Sequence, residues 1–163
     1  MVKVEFEWKK SQVDIYYTGE NKIRHTFSIY IDDFYGKEFF CDRVVPKRNG
    51  YPMEIHLMHN LDMVRCPYCQ SNEKKIQKSD EREVLDFFEL EDSASEIGGL
   101  DTYDQNLLVL KVFYQNNTYR CKNPSCRSLY RVKCRFLSDK EKSPFSERTI
   151  SFIRDWACPP AGE

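Results

Sequence analysis

Cys66-Pro67-Tyr68-Cys69 and Cys121-Lys122-Asn123-Pro124-Ser125-Cys126 are two short cysteine pairs, separated by the 51 residues 70–120. Each pair brings two sulfurs together in one tight turn, and four sulfurs are what a tetrahedral Zn²⁺ site requires. A unit this small cannot build its own hydrophobic core. The free energy of metal binding, on the order of 10 kcal/mol, therefore drives its folding. The spacing therefore predicts a zinc ribbon with Cys66, Cys69, Cys121 and Cys126 as ligands.

An iron–sulfur cluster is the main alternative for four paired thiols. The usual four-cysteine electron carriers place their ligands closer together in sequence, so zinc is favoured. The other three cysteines show no pairing pattern. Cys41 and Cys134 lie in strand-like segments and are expected to be small buried residues, whereas Cys158 precedes a proline.

The composition is that of a folded protein in a reducing compartment. Of 163 residues, 40% are hydrophobic and 31% charged, and the ten tyrosines and eleven phenylalanines favour strands. No stretch approaches the roughly 18 apolar residues of a membrane span, and residues 1–6 lack the apolar core of a signal peptide. We therefore expect a cytoplasmic protein without a membrane partner, in which thiols stay reduced.

Residues 1–64 predict a β-rich domain with an antiparallel sheet. Apolar and polar residues alternate over five short segments separated by turn signals, which are typical of strands. These segments are 2–8, 13–18, 25–31, 39–45 and 53–58.

Residues 65–136 predict the zinc ribbon, interrupted by an acidic insertion at 79–106. Within it, Asp80 and Glu83 resemble a capping box, and the apolar stripe Val84, Leu85, Phe87, Phe88 and Leu90 predicts a helix. Strands are predicted at 107–114 and 130–136. Residues 137–163 predict a helix and tail, with Ser143 as cap and Pro144 at the first helical position. The predicted fold class is therefore β-rich α+β.

The cysteine turns resemble those of a known group of zinc ribbons. Arg65-Cys66-Pro67-Tyr68-Cys69, Cys121-Lys122-Asn123-Pro124-Ser125-Cys126 and the aromatic Tyr130 are similar to the ribbon of phage late-transcription activators of the Ogr/Delta type. They also resemble the C-terminal ribbons of bacterial type IA topoisomerases, whose second turn is likewise Cys-x4-Cys. The resemblance covers about 30 residues, and it implies a role with nucleic acid, as in a transcription-like complex.

Charge is divided sharply along the chain. Residues 79–106 hold ten acids and one base, whereas residues 111–135 hold seven bases and no acid. Alternation places Arg131, Lys133 and Arg135 on one strand face, where phosphates are attracted and nearby aromatic rings can stack on bases. The bases can also simply offset the net charge near −2 of a zinc–thiolate centre. The candidate nucleic-acid-binding residues are Arg120, Lys122, Arg127, Arg131, Lys133 and Arg135, with Tyr119 and Tyr130.

Three functions remain open on the sequence. The first is a non-catalytic zinc ribbon that binds nucleic acid; the acidic insertion is then a solvated face or covers the basic strand. The second is a protein–protein adaptor or inhibitor that contacts its partner through the insertion and its apolar stripe. The third is an enzyme in residues 1–64, for which Asp32, Asp33, His56 and His59 are the residues to test. No phosphate-binding glycine loop supports it, and a closed four-cysteine site has no open coordination position, so we expect no catalysis.

Overall fold

The computed structural model describes residues 5–18, 22–48, 51–90, 107–137 and 144–157. Among the described residues it contains ten strands and two α-helices, with one 3₁₀ turn at Leu61–Met63. The elements are β1 (Glu5–Lys9), β2 (Gln12–Thr18), β3 (Arg24–Tyr30), α1 (Ile31–Phe34), β4 (Phe39–Arg48), β5 (Tyr51–His59), β6 (Lys74–Lys78), β7 (Glu81–Glu89), β8 (Leu107–Gln115), β9 (Thr118–Cys121), β10 (Leu129–Arg131) and α2 (Glu147–Ala157). The predicted β-rich α+β class is confirmed.

Strands β1, β2 and β3 form an antiparallel meander. Residues of β2 alternate, so that Val13, Ile15 and Tyr17 are buried on one face. The opposite face is polar, and there Asp14 accepts a hydrogen bond from the Ser28 hydroxyl on β3 (2.6 Å). One apolar and one polar face are what a solvated antiparallel sheet requires.

The second sheet has the order β4-β5-β8-β7. Its β4–β5 and β7–β8 pairs are antiparallel, and β5 pairs with β8 in parallel, with Ile55 opposite Val112. The sheet thus combines strands from both sides of residue 64. Both sheets contribute to one apolar core, in which the rings of Phe27 and Phe88 lie 5.3 Å apart. We call these two sheets the sandwich.

The predicted helix at the start of the acidic insertion is wrong, because this segment is strand β7. It pairs with β8 over nine residues, from Glu81 opposite Gln115 to Glu89 opposite Leu107. Both faces of β7 are covered: Val84 faces the core, and Phe87 packs beneath α2. A strand covered on both faces has a nearly continuous apolar run, which imitates a helical stripe. The apolar stripe is therefore buried and offers no surface to a partner.

The C-terminal helix is confirmed, but it begins later than predicted. Ser146, and not Ser143, caps it, because the Ser146 hydroxyl accepts a hydrogen bond from the Thr149 amide (3.2 Å). The preceding residues instead extend the sheet at the edge of β7. There the Leu85 amide donates to the Pro144 carbonyl (2.8 Å), and the Ser146 amide donates to the Leu85 carbonyl (3.0 Å).

The third sheet, β10-β9-β6, carries the cysteine turns. All its pairings are antiparallel, with Tyr119 of β9 opposite Tyr130 on one side and Ile76 on the other. We call residues 65–78 and 118–133 the ribbon. The predicted strand at 130–136 ends at Arg131, which is the residue opposite Thr118, the first residue of its partner strand.

Neither of the helices in the described ranges has the length and apolar character needed to cross a bilayer.

Candidate metal centre

The four predicted ligands come together. The sulfurs of Cys66, Cys69, Cys121 and Cys126 all lie within 4.8 Å of one another. The Cys66–Cys126 distance is 3.7 Å and the Cys69–Cys121 distance is 3.5 Å. A tetrahedron with metal–sulfur bonds of about 2.3 Å has edges of about 3.8 Å, whereas a disulfide requires about 2.05 Å. The donor set therefore fits one tetrahedral metal ion, and all four cysteines are free thiols.

The first turn is closed by backbone hydrogen bonds around Cys66. Its amide donates to the Ser71 carbonyl (3.0 Å), and its carbonyl accepts from the Gln70 amide (2.8 Å). Gln70 adopts a positive φ of 64°, a left-handed conformation that ends the turn after Cys69. The backbone thus directs both sulfurs of the pair to the same side.

The second turn repeats this arrangement. The Cys121 amide donates to the Ser128 carbonyl (2.9 Å), and the amides of Cys126 and Arg127 both donate to the Asn123 carbonyl (2.9 and 3.1 Å). Arg127 has a φ of 52°, at the position that corresponds to Gln70. The Asn123 amide also donates to the Cys121 sulfur (3.4 Å), as expected where a thiolate is to be stabilised.

Hydrogen bonding favours the thiolate at two of the four positions. The Asn123 side chain and the Ser71 backbone lower the pKa of the Cys69 thiol to about 6. Hydrogen bonds from Ser128 lower the pKa of Cys126. Burial acts in the opposite direction at Cys121 and raises its pKa to about 11. Since the thiolate is the metal-binding form, a metal ion that binds these four thiols would release protons.

The two predicted stacking residues lie inside the ribbon. Tyr119 is fully buried and Tyr130 nearly so, and both pack with Val64 against Cys66 and Cys121. A base therefore cannot stack on either ring in this structure, and both residues form the small apolar core of the ribbon. Burial and nearby Cys66 raise the pKa of Tyr130 to about 12.

Two of the predicted cations share the outer face of the ribbon sheet. Arg120 on β9 lies opposite Leu129, and Arg131 on β10 lies opposite Thr118. Strand β6 adds two lysines that are not among the predicted residues: Lys75 lies opposite Arg120, and Lys78 lies opposite Thr118. The lysine-rich run 74–78 was the available signal, but its pairing with β9, some 40 residues away in sequence, was not predictable from spacing. We call Lys75, Lys78, Arg120 and Arg131 the basic face.

The remaining predicted cations lie outside this face. Lys122 and Arg127 are exposed on the second cysteine turn, where the Arg127 carbonyl accepts a hydrogen bond from the Arg120 guanidinium (3.0 Å). Lys133 and Arg135 are also exposed, but they follow the end of β10. Arg135 lies 3.9 Å from the Glu38 carboxylate of the sandwich.

The other candidate residues are not assembled into one site. Asp32 and Asp33 are exposed on α1, whereas His56 and His59, three residues apart on β5, are buried. Odd spacing along a strand puts two side chains on opposite faces. Cys41 is buried and Cys134 half-buried, and burial raises the pKa of these thiols to about 12 and about 11. Cys158 lies outside the described residues.

No protein-family model, curated protein or solved structure matches this chain.

Proposed function

We propose that this chain is a zinc protein whose ribbon binds nucleic acid, with no catalytic role for the metal. Zinc is supported by the donor set, because four thiolates in tetrahedral arrangement suit this ion and leave it no open coordination position. Two thiol pairs so arranged require a reducing compartment, which supports a cytoplasmic location.

The charge of the ribbon exceeds what the metal centre needs. Residues 65–78 and 118–133 hold nine bases and one acid, Glu73. Four thiolates around Zn²⁺ contribute a net charge near −2, so the excess of eight positive charges is offset only in part. The remaining positive charge supports a polyanionic partner.

The observation that carries the proposal is the basic face. It places Lys75, Lys78, Arg120 and Arg131 on one side of a three-stranded sheet, and no acidic residue occurs in β6, β9 or β10. None of the four takes part in an ion pair with the described residues. Neighbouring strands lie about 4.8 Å apart and residues two apart along a strand about 7 Å, so the cations form a compact patch for backbone phosphates.

The apolar stripe on which the adaptor hypothesis depends is not available to a partner. Its apolar stripe belongs to strand β7, where Val84, Phe88 and Leu90 are in the sandwich core and Phe87 lies under α2. Acidic residues 91–106 lie outside the described residues. The likeness of the cysteine turns to transcription activators further supports a nucleic-acid-handling complex.

Charge reversal on the basic face tests the proposal. The double variant Lys75→Glu/Arg131→Glu is compared with Lys9→Glu/Arg24→Glu, which makes the same charge change on the exposed outer side of the sandwich. Binding of a labelled 12-nucleotide single strand is measured by fluorescence anisotropy over a range of salt concentrations. We expect the ribbon variant to bind at least about tenfold more weakly, with a salt slope reduced by about 0.7 for each lost phosphate contact. Equal binding by both variants would contradict the proposal.

A further inference from the structure

Tyr68 is a strongly exposed aromatic side chain, with 71% of its surface accessible. It lies at the tip of the first cysteine turn, between two ligands whose sulfurs are held in the cluster. Pro67 before it and the closing hydrogen bond from the Cys66 amide to Ser71 keep the backbone of the turn fixed. An aromatic ring on a rigid support, uncovered by the rest of the described chain, is a preformed stacking surface.

A cation accompanies this ring on the same turn. The Arg65 guanidinium donates to the Gln70 carbonyl (3.4 Å), and this hydrogen bond holds it beside the turn. Across the sulfur cluster, Lys122 and Arg127 are exposed on the second turn. The Cys69 and Cys121 sulfurs are 3.5 Å apart, so the two turns, and the charges they carry, face each other across the metal site.

The described helices of this chain are not suited to enter the major groove of a duplex. The four-residue α1 carries the acidic Asp32 and Asp33, and α2 packs on β7 of the sandwich. A cationic sheet and an exposed ring in the same small unit are instead the features that bind an unpaired strand.

We propose that the ligand of the ribbon is single-stranded nucleic acid and that Tyr68 stacks on one of its bases. This inference rests on the proposed function and specifies the ligand. The basic face and Arg65 bind successive phosphates without reading sequence, and Tyr68 distinguishes an unpaired strand, whose bases have free faces, from a duplex, whose bases are already stacked. The exposed Leu129, opposite Arg120 on the sheet, adds an apolar contact within the basic face.

The test uses Tyr68→Ala and Tyr68→Phe in the full chain, with Tyr30→Ala as a control. Tyr30 is also exposed, at 49%, but it lies on β3 of the sandwich. Affinities are measured for a 12-nucleotide oligothymidine, the same length of oligouridine, and a 12-base-pair DNA duplex. Base–aromatic stacking predicts a loss of about tenfold for single strands with Tyr68→Ala, little loss with Tyr68→Phe or Tyr30→Ala, and little change for the duplex.

The outcomes separate this inference from the proposed function. The stacking role would be overturned if Tyr68→Ala bound the single strands as tightly as the wild type does. It would also be overturned if the variant lost as much affinity for the duplex as for the single strands. In both cases the basic face would remain a nucleic-acid site. Failure of the wild-type protein to bind any of the three would overturn both. A loss for both single strands, whether equal or larger for one of them, supports the inference.

Discussion

At the scale of single residues, Tyr119 connects the cysteine-bearing ribbon to the sandwich. Its hydroxyl lies 2.5 Å from Nδ1 of His59 and accepts a hydrogen bond from the Asn117 side chain (3.3 Å). A neutral His59 ring suits a hydrogen bond in which the Tyr119 hydroxyl donates to an unprotonated Nδ1. The His59 ring also packs against Phe39 of the sandwich, with ring centroids 5.0 Å apart.

His59 should make the stability of the protein depend on pH. Burial lowers its pKa to about 4 from an ordinary value of 6.5, so the unfolded chain binds the extra proton first as pH falls. The stabilisation contributed by neutral His59 is therefore complete above about pH 6.5 and is lost progressively toward pH 4. Between pH 7 and pH 5 the loss amounts to about 2 kcal/mol.

Urea unfolding of the wild type and His59→Gln at pH 7 and pH 5 measures this contribution. Glutamine can still accept the tyrosine proton through its amide oxygen but does not titrate. We expect the wild type to lose about 2 kcal/mol more than the variant over this interval. Any loss through the thiols occurs in both proteins and cancels in the difference. Equal losses would show that His59 does not titrate as proposed.

At the scale of elements, one buried carboxylate holds α2 and α1 to the sheet. Asp86 of β7 is fully buried and accepts hydrogen bonds from the hydroxyls of Tyr35 (2.8 Å) and Ser146 (2.6 Å). The Arg148 guanidinium, which lies between the rings of Phe34 and Phe88, donates to it as well (3.1 Å). The carboxylate thus joins β7 to the residue that follows α1, to the cap of α2 and to its first turn.

Asp86→Ala should therefore destabilise the fold by about 3 kcal/mol or more, since breaking a largely buried ion pair leaves the remaining charge and hydroxyls without their acceptor. Asp155→Ala removes an exposed carboxylate from α2 and is the matched control, expected to change stability by less than about 0.5 kcal/mol. Chemical denaturation at pH 7 gives both values. A cost at Asp86 no greater than at Asp155 would refute this role.

At the scale of the whole molecule, the sequence predicted what local spacing determines and missed what long-range pairing determines. The Cys66–Cys69 turn was predictable because its geometry is set within a few residues. Strand β7 was not, because its second apolar face depends on α2, about 60 residues later. For the same reason, neither the contribution of Lys75 to the basic face nor the burial of Tyr119 between β6 and β10 was predictable.

The ribbon and the sandwich are joined through the chain itself. Strands β6 and β7 are consecutive, as are β8 and β9, so each long strand of the sandwich hairpin continues into a strand of the ribbon. In the connection, the Asp80 amide donates to the Asn117 side chain (3.1 Å), and the Asn116 amide donates to the Asp80 carbonyl (2.8 Å). The cysteine cluster thus lies in a unit whose far end is anchored in a hydrophobic core, and we expect loss of a bound metal ion to unfold the ribbon before the sandwich.

X-ray absorption at the zinc edge, on the full chain purified without added metal, tests the central claim most directly. We predict one zinc ion per chain with four sulfur neighbours at about 2.3 Å, and loss of that signal in Cys66→Ser/Cys121→Ser. Absence of zinc, iron in its place, or nitrogen or oxygen atoms among the four neighbours would contradict the assignment of Cys66, Cys69, Cys121 and Cys126 as the ligands of a single zinc ion.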